Sequence, residues 1–189
     1  MSRAEPAEHL LESAIRLGVE RGAGAMSLQG IASKAGVSKA LVLYHFGDKA
    51  ALLARIVERC GRHCAERLEA AASATDPLDA WRDLVRAAVN DGEVALLAGL
   101  AQDAELATDA TAPVAHAARV MREAKAALLA SAVLRAMQLE PRVPAPLLGR
   151  LLVRHLDGLA VAAAHGRLSD TELDAELDTF ALALLGLGR

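Results

Sequence analysis

Apolar residues recur with the period of an α-helix along most of the chain, and short polar or glycine-containing breaks separate the periodic segments. No segment alternates apolar and polar residues in the manner of a strand, and the 43 alanines and 32 leucines against four aromatic residues also favour helix. The sequence therefore predicts an all-α fold. The predicted helices lie near 6–21, 28–35, 38–46, 48–73, 77–89, 93–106, 113–138, 144–165 and 170–186.

The second and third predicted helices are short and have clear start and stop signals. Ser27 and Ser38 are plausible N-caps, and Asp48 is a plausible N-cap for the long helix that follows. Gly36 ends the second helix, and Gly47 ends the third. Because a tight turn between helices needs a residue that tolerates positive φ, Gly36 predicts a helix-turn-helix. From spacing alone, a helix pair with no role in DNA binding remains an alternative.

Charge is unevenly distributed along the chain. The whole chain carries a net charge of −3, whereas residues 1–67 hold ten Lys and Arg against seven Asp and Glu. The remaining residues are acidic, so the sequence predicts two regions with different tasks. We expect a cytoplasmic protein with no membrane partner, because no secretion signal opens the sequence and no apolar run approaches the ~18 residues that span a bilayer.

The predicted helix-turn-helix and the start of the next helix contain a distinctive combination of residues: Ile31-Ala32, Ala35-Gly36-Val37-Ser38, Tyr44-His45-Phe46, Lys49 and Leu52-Leu53. This combination is similar to the N-terminal signature of TetR-family transcriptional regulators over about residues 8–57. The resemblance implies a DNA-binding domain at 1–50 and a helical ligand-binding and dimerisation domain at 51–189. It also implies a homodimer that represses from an inverted-repeat operator and is released by a small molecule.

The third helix would be the recognition helix, with Ser38 and Lys39 where base readout begins. This chain departs from the family at the common phosphate-contacting tyrosine, where it has Leu43, so that role falls to Tyr44. Leu41 replaces a hydroxyl with an alkyl group, which suits either contact with a thymine methyl group or simple packing. The candidate DNA-contacting residues are Ser27, Ser38, Lys39, Leu41, Tyr44, His45 and Lys49.

By the resemblance, a small-molecule cavity lies among the later helices. The scarcity of aromatic residues favours an aliphatic cavity and a lipophilic ligand. We expect no cofactor and no metal ion. The candidate ligand-binding residues are Trp81, Gln102, His116, Met121 and His155, and for each of them a place in the core or on the surface is the alternative.

The predicted dimer interface lies on the last two helices, which form a four-helix bundle in the family. The leucines of the first of these helices supply more apolar surface than one helix usually needs, and Leu152→Glu is expected to give monomers that still fold but lose DNA affinity. These leucines are Leu147, Leu148, Leu151, Leu152, Leu156 and Leu159. A second stripe consists of Leu173, Leu177, Phe180 and Leu184. The long fourth helix connects the two regions and is predicted to transmit ligand binding to the DNA-binding helices.

A zinc or redox site, an enzyme and a bare dimerisation or scaffold protein are the alternatives to a DNA-binding regulator, and a scaffold would leave the basic first third of the chain without a reason. Cys60, His63 and Cys64 have the residue types of a zinc or redox site, although both cysteines continue an apolar stripe and so fit the core. An enzyme built on a helical bundle is the alternative class. It lacks support in the sequence, because there is no G-x-S-x-G motif or P-loop and no histidine follows a glutamate by three residues.

Overall fold

A computed structural model of the protein describes residues 4–101 and 111–188, and in these ranges it is helical. An isolated β-bridge joins Pro141 and Gly188, and no strand is present in the described ranges. The all-α prediction is therefore confirmed. None of the described helices is both long and apolar enough to cross a membrane. The helices are α1 (Ala4–Arg21), α2 (Leu28–Ala35), α3 (Lys39–Phe46), α4 (Lys49–Ala72), α5 (Pro77–Asp91), α6 (Glu93–Leu100), α7 (Ala112–Ala136), α8 (Ala145–Ala164) and α9 (Asp170–Gly186).

The predicted helix boundaries agree with these bounds to within a few residues. One short element was not predicted: a 3-10 turn at Ala23–Ala25, for which the sequence pattern gives no signal. The predicted helix near 93–106 is described as far as Leu100, and its last part lies outside the described residues. Ser27 and Ser38 are N-caps as predicted, because each hydroxyl oxygen accepts a hydrogen bond from the backbone N–H three residues later.

The chain divides into two compact units. Unit 1 takes the described residues up to Cys60 together with those between Leu96 and Ala118, and unit 2 takes Gly61–Ala95 and the described residues from Arg119 onward. α4 is one continuous helix that begins in unit 1 and ends in unit 2. The domains 1–50 and 51–189 remain a prediction about function.

Unit 1 is held together by an apolar core between α1, α2, α3 and the first half of α4. Leu10, Ile31, Val42 and Leu52 are at most 1% exposed. The second half of α6 closes this core, and Gly18 of α1 allows its close approach because a Cβ at Gly18 would lie 2.7 Å from Leu96 Cδ1. Packing of α6 thus stabilises the short helices of unit 1, which are marginal by themselves.

The core of unit 2 corrects the predicted role of α8. Leu148, Leu152, Leu156 and Leu159 are buried within the protomer itself, as are Leu173, Leu177 and Leu184 of α9. Leu147 and Leu151 lie outside this core and are 41% and 44% exposed. Leu152 is therefore a core residue, and the sequence-based choice of it for the dimer interface is wrong.

α7 and α8 pack with their backbones in close contact. A Cβ atom built at Gly149 would lie 2.1 Å from the carbonyl oxygen of Glu123 and 2.9 Å from the backbone nitrogen of Ala127. Only glycine leaves room for this approach.

Candidate nucleic-acid interface

The turn between α2 and α3 follows from Gly36. Its backbone is left-handed, with φ 71° and ψ 30°. The N–H of Gly36 donates to the carbonyl of Ser33 at 3.3 Å, and the N–H of Val37 donates to the carbonyl of Ala32 at 2.9 Å. These two bonds form a Schellman motif, which satisfies carbonyls at the end of α2 and turns the chain within two residues. Val37 then packs against the core of unit 1 and fixes the start of α3.

α3 presents most of its surface to solvent. Val42 is its one fully buried residue, whereas Lys39, Leu43 and Tyr44 are exposed, with Tyr44 at 62%. A short helix that is anchored through so few residues needs help from its cap and its turn, and Ser38 supplies the cap. The result is a helix that is held firmly at one face and is open to a partner on the other.

The predicted phosphate-contacting residues cluster around the end of α3 and the start of α4. The rings of Tyr44 and His45 meet edge to face, with centroids 5.2 Å apart. Gly47, with φ 82°, ends α3, and Asp48 caps α4 by accepting a hydrogen bond from Ala51 N at 2.7 Å. Lys49 is the first residue of α4 and thus lies where free backbone N–H groups favour an anion.

Two of the seven predicted DNA-contacting residues lie apart from the exposed face of α3. Leu41 is half-buried, so packing against unit 1 takes up part of its side chain. Ser27 lies at the start of α2, where its hydroxyl oxygen accepts from Gly30 N at 3.0 Å. Ser38, Lys39, Tyr44, His45 and Lys49 lie on α3 or next to its ends.

A third lysine of this region is engaged within the protein. Lys34 Nζ of α2 lies 2.7 Å from both carboxylate oxygens of Glu20 on α1. The hydrogen bond from Lys34 lowers the pKa of Glu20, with partial opposition from burial. The pair joins α1 to α2 and supports the position of the turn.

The structure brings together two of the five predicted ligand-binding residues. Trp81 of α5 is 1% exposed, and its ring centroid lies 6.3 Å from that of His155 on α8. Phe180 of α9, which the sequence pattern assigned to a dimer stripe, stacks on His155 with centroids 3.9 Å apart and an interplanar angle of 7°. Sequence alone gave no signal for this cluster, because its members are far apart in the chain.

The other three ligand-binding candidates do not join this ring cluster. Met121 is half-buried on α7 and is not part of the described core of unit 2. His116 is exposed and belongs to unit 1. Gln102 lies outside the described residues.

Cys60, His63 and Cys64 are engaged separately. Cys60 is in the core of unit 1, whereas the sulfur of Cys64 accepts a hydrogen bond from Arg122 Nε at 3.3 Å in unit 2. His63 is exposed, with Nδ1 2.7 Å from Glu93 Oε2. Over residues 4–101 and 111–188, no three His, Cys, Asp or Glu side chains form a group that could hold a metal ion.

Arg122 is a buried cation, 4% exposed, that pairs with Asp157 of α8. Burial lowers its pKa, but Cys64 and Asp157 outweigh that effect and hold the pKa of Arg122 above its ordinary value. The guanidinium thus links α4, α7 and α8 inside unit 2.

The outward face of α8 forms an open apolar hollow of about 300 Å³. Four apolar residues, Leu147 and Leu151 among them, line it together with two arginines. The lining residues are Val143, Leu147, Arg150, Leu151, Arg154 and Leu187.

Comparisons with known proteins agree with this arrangement. Residues 10–56 match the family model of bacterial regulatory proteins of the tetR family. The fold is similar to that of Salmonella enterica GusR (15% identity, 98% of each chain covered, TM-score 0.74). It is also similar to a TetR-family transcriptional regulator from Pectobacterium atrosepticum (24% identity, 100% of this chain and 98% of that chain, TM-score 0.67). A third similar structure is the SmeT–triclosan complex (22% identity, 95% and 90% covered, TM-score 0.66). No curated protein sequence matches the chain significantly.

A capped and exposed α3, set by a Schellman turn behind α2, defines a helix-turn-helix DNA-binding protein. The family match covers α2, α3 and most of α1. Residues 10–56 are therefore a helix-turn-helix region that matches the tetR family of bacterial regulatory proteins, and the fold is similar to that of TetR-family transcriptional regulators.

Proposed function

We propose that this regulator is a homodimeric repressor that binds an inverted-repeat operator and is released by a small lipophilic molecule. The observation that carries the proposal is the exposed face of α3. Val42 is the one fully buried side chain of this helix, and Ser38 caps its start. Two such helices in a symmetric dimer fit successive major grooves, about 34 Å apart.

Within this proposal, Ser38 and Lys39 read base edges, because the first turn of a recognition helix enters the major groove. Tyr44, His45 and Lys49 bind the phosphate backbone, because they lie around the α3–α4 junction. Ser27 serves chiefly as the cap of α2, and the partial burial of Leu41 favours packing over base contact.

The proposed dimer uses the outward face of α8 and the exposed part of α9. Leu147, Leu151 and Leu182 are 41%, 44% and 71% exposed, and large side chains of this kind are stabilised when a second copy covers them. Gly158 lies on the same helix with open space around it, which permits close approach of a partner helix.

The proposed ligand site is in unit 2. The core of this unit consists mainly of leucine, valine and alanine side chains, and a lipophilic molecule can pack against such side chains. A similar fold occurs in the SmeT–triclosan complex, which supports small-molecule binding. Because α4 runs without a break from Lys49 into unit 2, we propose that a displaced α4 carries the effect of the ligand to α3.

The test begins with selection of binding sites from a random double-stranded DNA library, for which we expect an inverted repeat. Fluorescence anisotropy at several salt concentrations then measures affinity for that site. Lys49→Ala should weaken binding to all sequences alike and reduce the salt slope by roughly one per subunit, because one phosphate contact is lost. Lys39→Ala should also lower the preference for the selected site over random DNA.

The matched control is Arg135→Ala, which removes an exposed cation at the end of α7 in unit 2. It should leave both the affinity and the salt slope unchanged. The proposal is wrong if the wild-type protein selects no sequence, or if Lys39→Ala and Lys49→Ala behave like the control. No observation on the described residues favours the enzyme alternative, and proteins of this family are regulators.

A further inference from the structure

Three rings from three helices meet inside unit 2. Trp81, His155 and Phe180 come from α5, α8 and α9, and their pairwise ring centroids are 3.9–6.3 Å apart. Two of the four aromatic residues of the chain are in this cluster. Its neighbours in the core are aliphatic, so the indole and imidazole nitrogens are polar atoms in an apolar environment.

Two of these nitrogens are buried without a hydrogen-bond partner among the described residues. They are Trp81 Nε1 and His155 Nε2. Buried polar atoms are nearly always paired, because an unpaired one keeps the full cost of leaving water. Trp81 is also 1% exposed, so bulk solvent does not reach its N–H.

The chemistry of the two nitrogens defines what they can bind. The indole N–H is a donor only, so its partner must be an acceptor. Burial lowers the pKa of His155, with partial opposition from Glu176, so the imidazole is neutral at neutral pH and either donates or accepts at Nε2. A hydroxyl or carbonyl oxygen can pair with both nitrogens. An ammonium group offers only donors, with which the indole N–H cannot pair, and a carboxylate would lose its hydration among apolar side chains.

We propose that Trp81 and His155 bind the neutral oxygen of a lipophilic ligand, an alcohol or a ketone, between α5 and α8. This inference rests on the proposed function of unit 2 as the ligand-binding part of the regulator. Phe180 stacks flat against His155 and thereby orients the imidazole plane. The aliphatic core holds the hydrocarbon part of the ligand, and the two nitrogens select its head group.

The experiment uses four probes with the same chain and different head groups: 1-octanol, 2-octanone, octanoate and octylammonium. Isothermal calorimetry on the full-length protein measures their affinities. Trp81 is the single tryptophan of the chain, so its emission reports directly on the proposed site. We expect 1-octanol and 2-octanone to bind at least tenfold more tightly than the two charged probes and to change the emission of Trp81.

Two variants test the nitrogens themselves. His155→Phe and Trp81→Phe should each weaken 1-octanol binding about tenfold, which corresponds to ~1.4 kcal/mol. Trp81→Phe should lower the melting temperature of the ligand-free protein, because the smaller ring leaves a cavity in the core, whereas His155→Phe should raise it, because an unpaired polar atom leaves the core. The control is His165→Phe, the same change at an exposed position just after α8, which should leave the affinity unchanged.

The proposal is overturned if no neutral probe binds, if the charged probes bind as tightly, or if both core variants keep the wild-type affinity. It is also overturned if both variants lower the melting temperature and leave binding intact, since that is the behaviour of a water-bridged structural pair. DNA binding without ligand is measured on the same proteins. If the wild-type protein does not bind DNA, the proposed function is wrong. The affinities for the four probes still decide whether Trp81 and His155 bind a ligand.

Discussion

Leu151 and Leu152 are neighbours on α8 that face different surroundings, and replacing each by lysine separates dimerisation from folding. Leu151 is 44% exposed in the protomer, whereas Leu152 is 1% exposed in the core of unit 2. Leu151→Lys adds a cation beside Arg150 and Arg154, which line the same hollow. Leu152→Lys places the same cation inside the core.

The magnitudes follow from these exposures. Fully burying a leucine contributes about 1.5–3 kcal/mol, so the exposed part of Leu151 contributes about 1 kcal/mol to an interface that covers it. A two-fold symmetric dimer contains two copies of Leu151, so the substitution weakens the dimer by about 2 kcal/mol, or roughly 30-fold in its dissociation constant. Repulsion between the added cations weakens the dimer further. Leu152→Lys forfeits about 2–5 kcal/mol for the lost core side chain alone, and the buried charge adds to that cost.

Sedimentation velocity and thermal melting followed by circular dichroism measure the two effects. We expect Leu151→Lys to remain folded, to raise the dimer dissociation constant at least roughly 30-fold and to lose operator affinity, because one recognition helix cannot bind both half-sites. Leu152→Lys should be unfolded or should melt about 4–20 °C lower before the cost of the buried charge is added, given about 2–4 °C per kcal/mol for a protein of this size. A Leu151→Lys protein with the dimer dissociation constant of the wild type, or a wild type that is monomeric, would refute the assignment of this face.

Two further predictions concern the stability of the fold. Gly149→Ala should cost about 1–3 kcal/mol in the free energy of unfolding, because its Cβ would lie 2.1 Å from the carbonyl oxygen of Glu123. Gly99→Ala should cost nothing in the same denaturant titration, since its Cβ would meet a side chain at 3.4 Å, an ordinary contact distance. Burial lowers the pKa of His155 and Glu176 opposes this in part, so the unfolded chain binds the proton more readily. The free energy of unfolding should therefore fall as pH drops below 6.5, and the difference from His155→Phe should widen between pH 7.5 and 5.5; a constant difference would contradict the assignment.

The sequence by itself determined the helices and the helix-turn-helix. Glycine and capping residues act through local backbone geometry, so Gly36 and Ser38 specify the turn and the start of α3 without reference to the rest of the chain. The sequence also determined which face of α4 is buried. Its apolar residues from Leu52 to Leu68 lie on a single face at helical spacing, so only that face can pack against the core.

The tertiary structure alone decided which leucines of α8 face inward. This helix is apolar on more than one side, so periodicity could not distinguish Leu151 from Leu152, and only the positions of α5, α7 and α9 around α8 made the choice. The cluster of Trp81, His155 and Phe180 has the same origin. Its members are separated by up to 99 positions in the chain, and their proximity depends on how three helices pack, which no local pattern encodes.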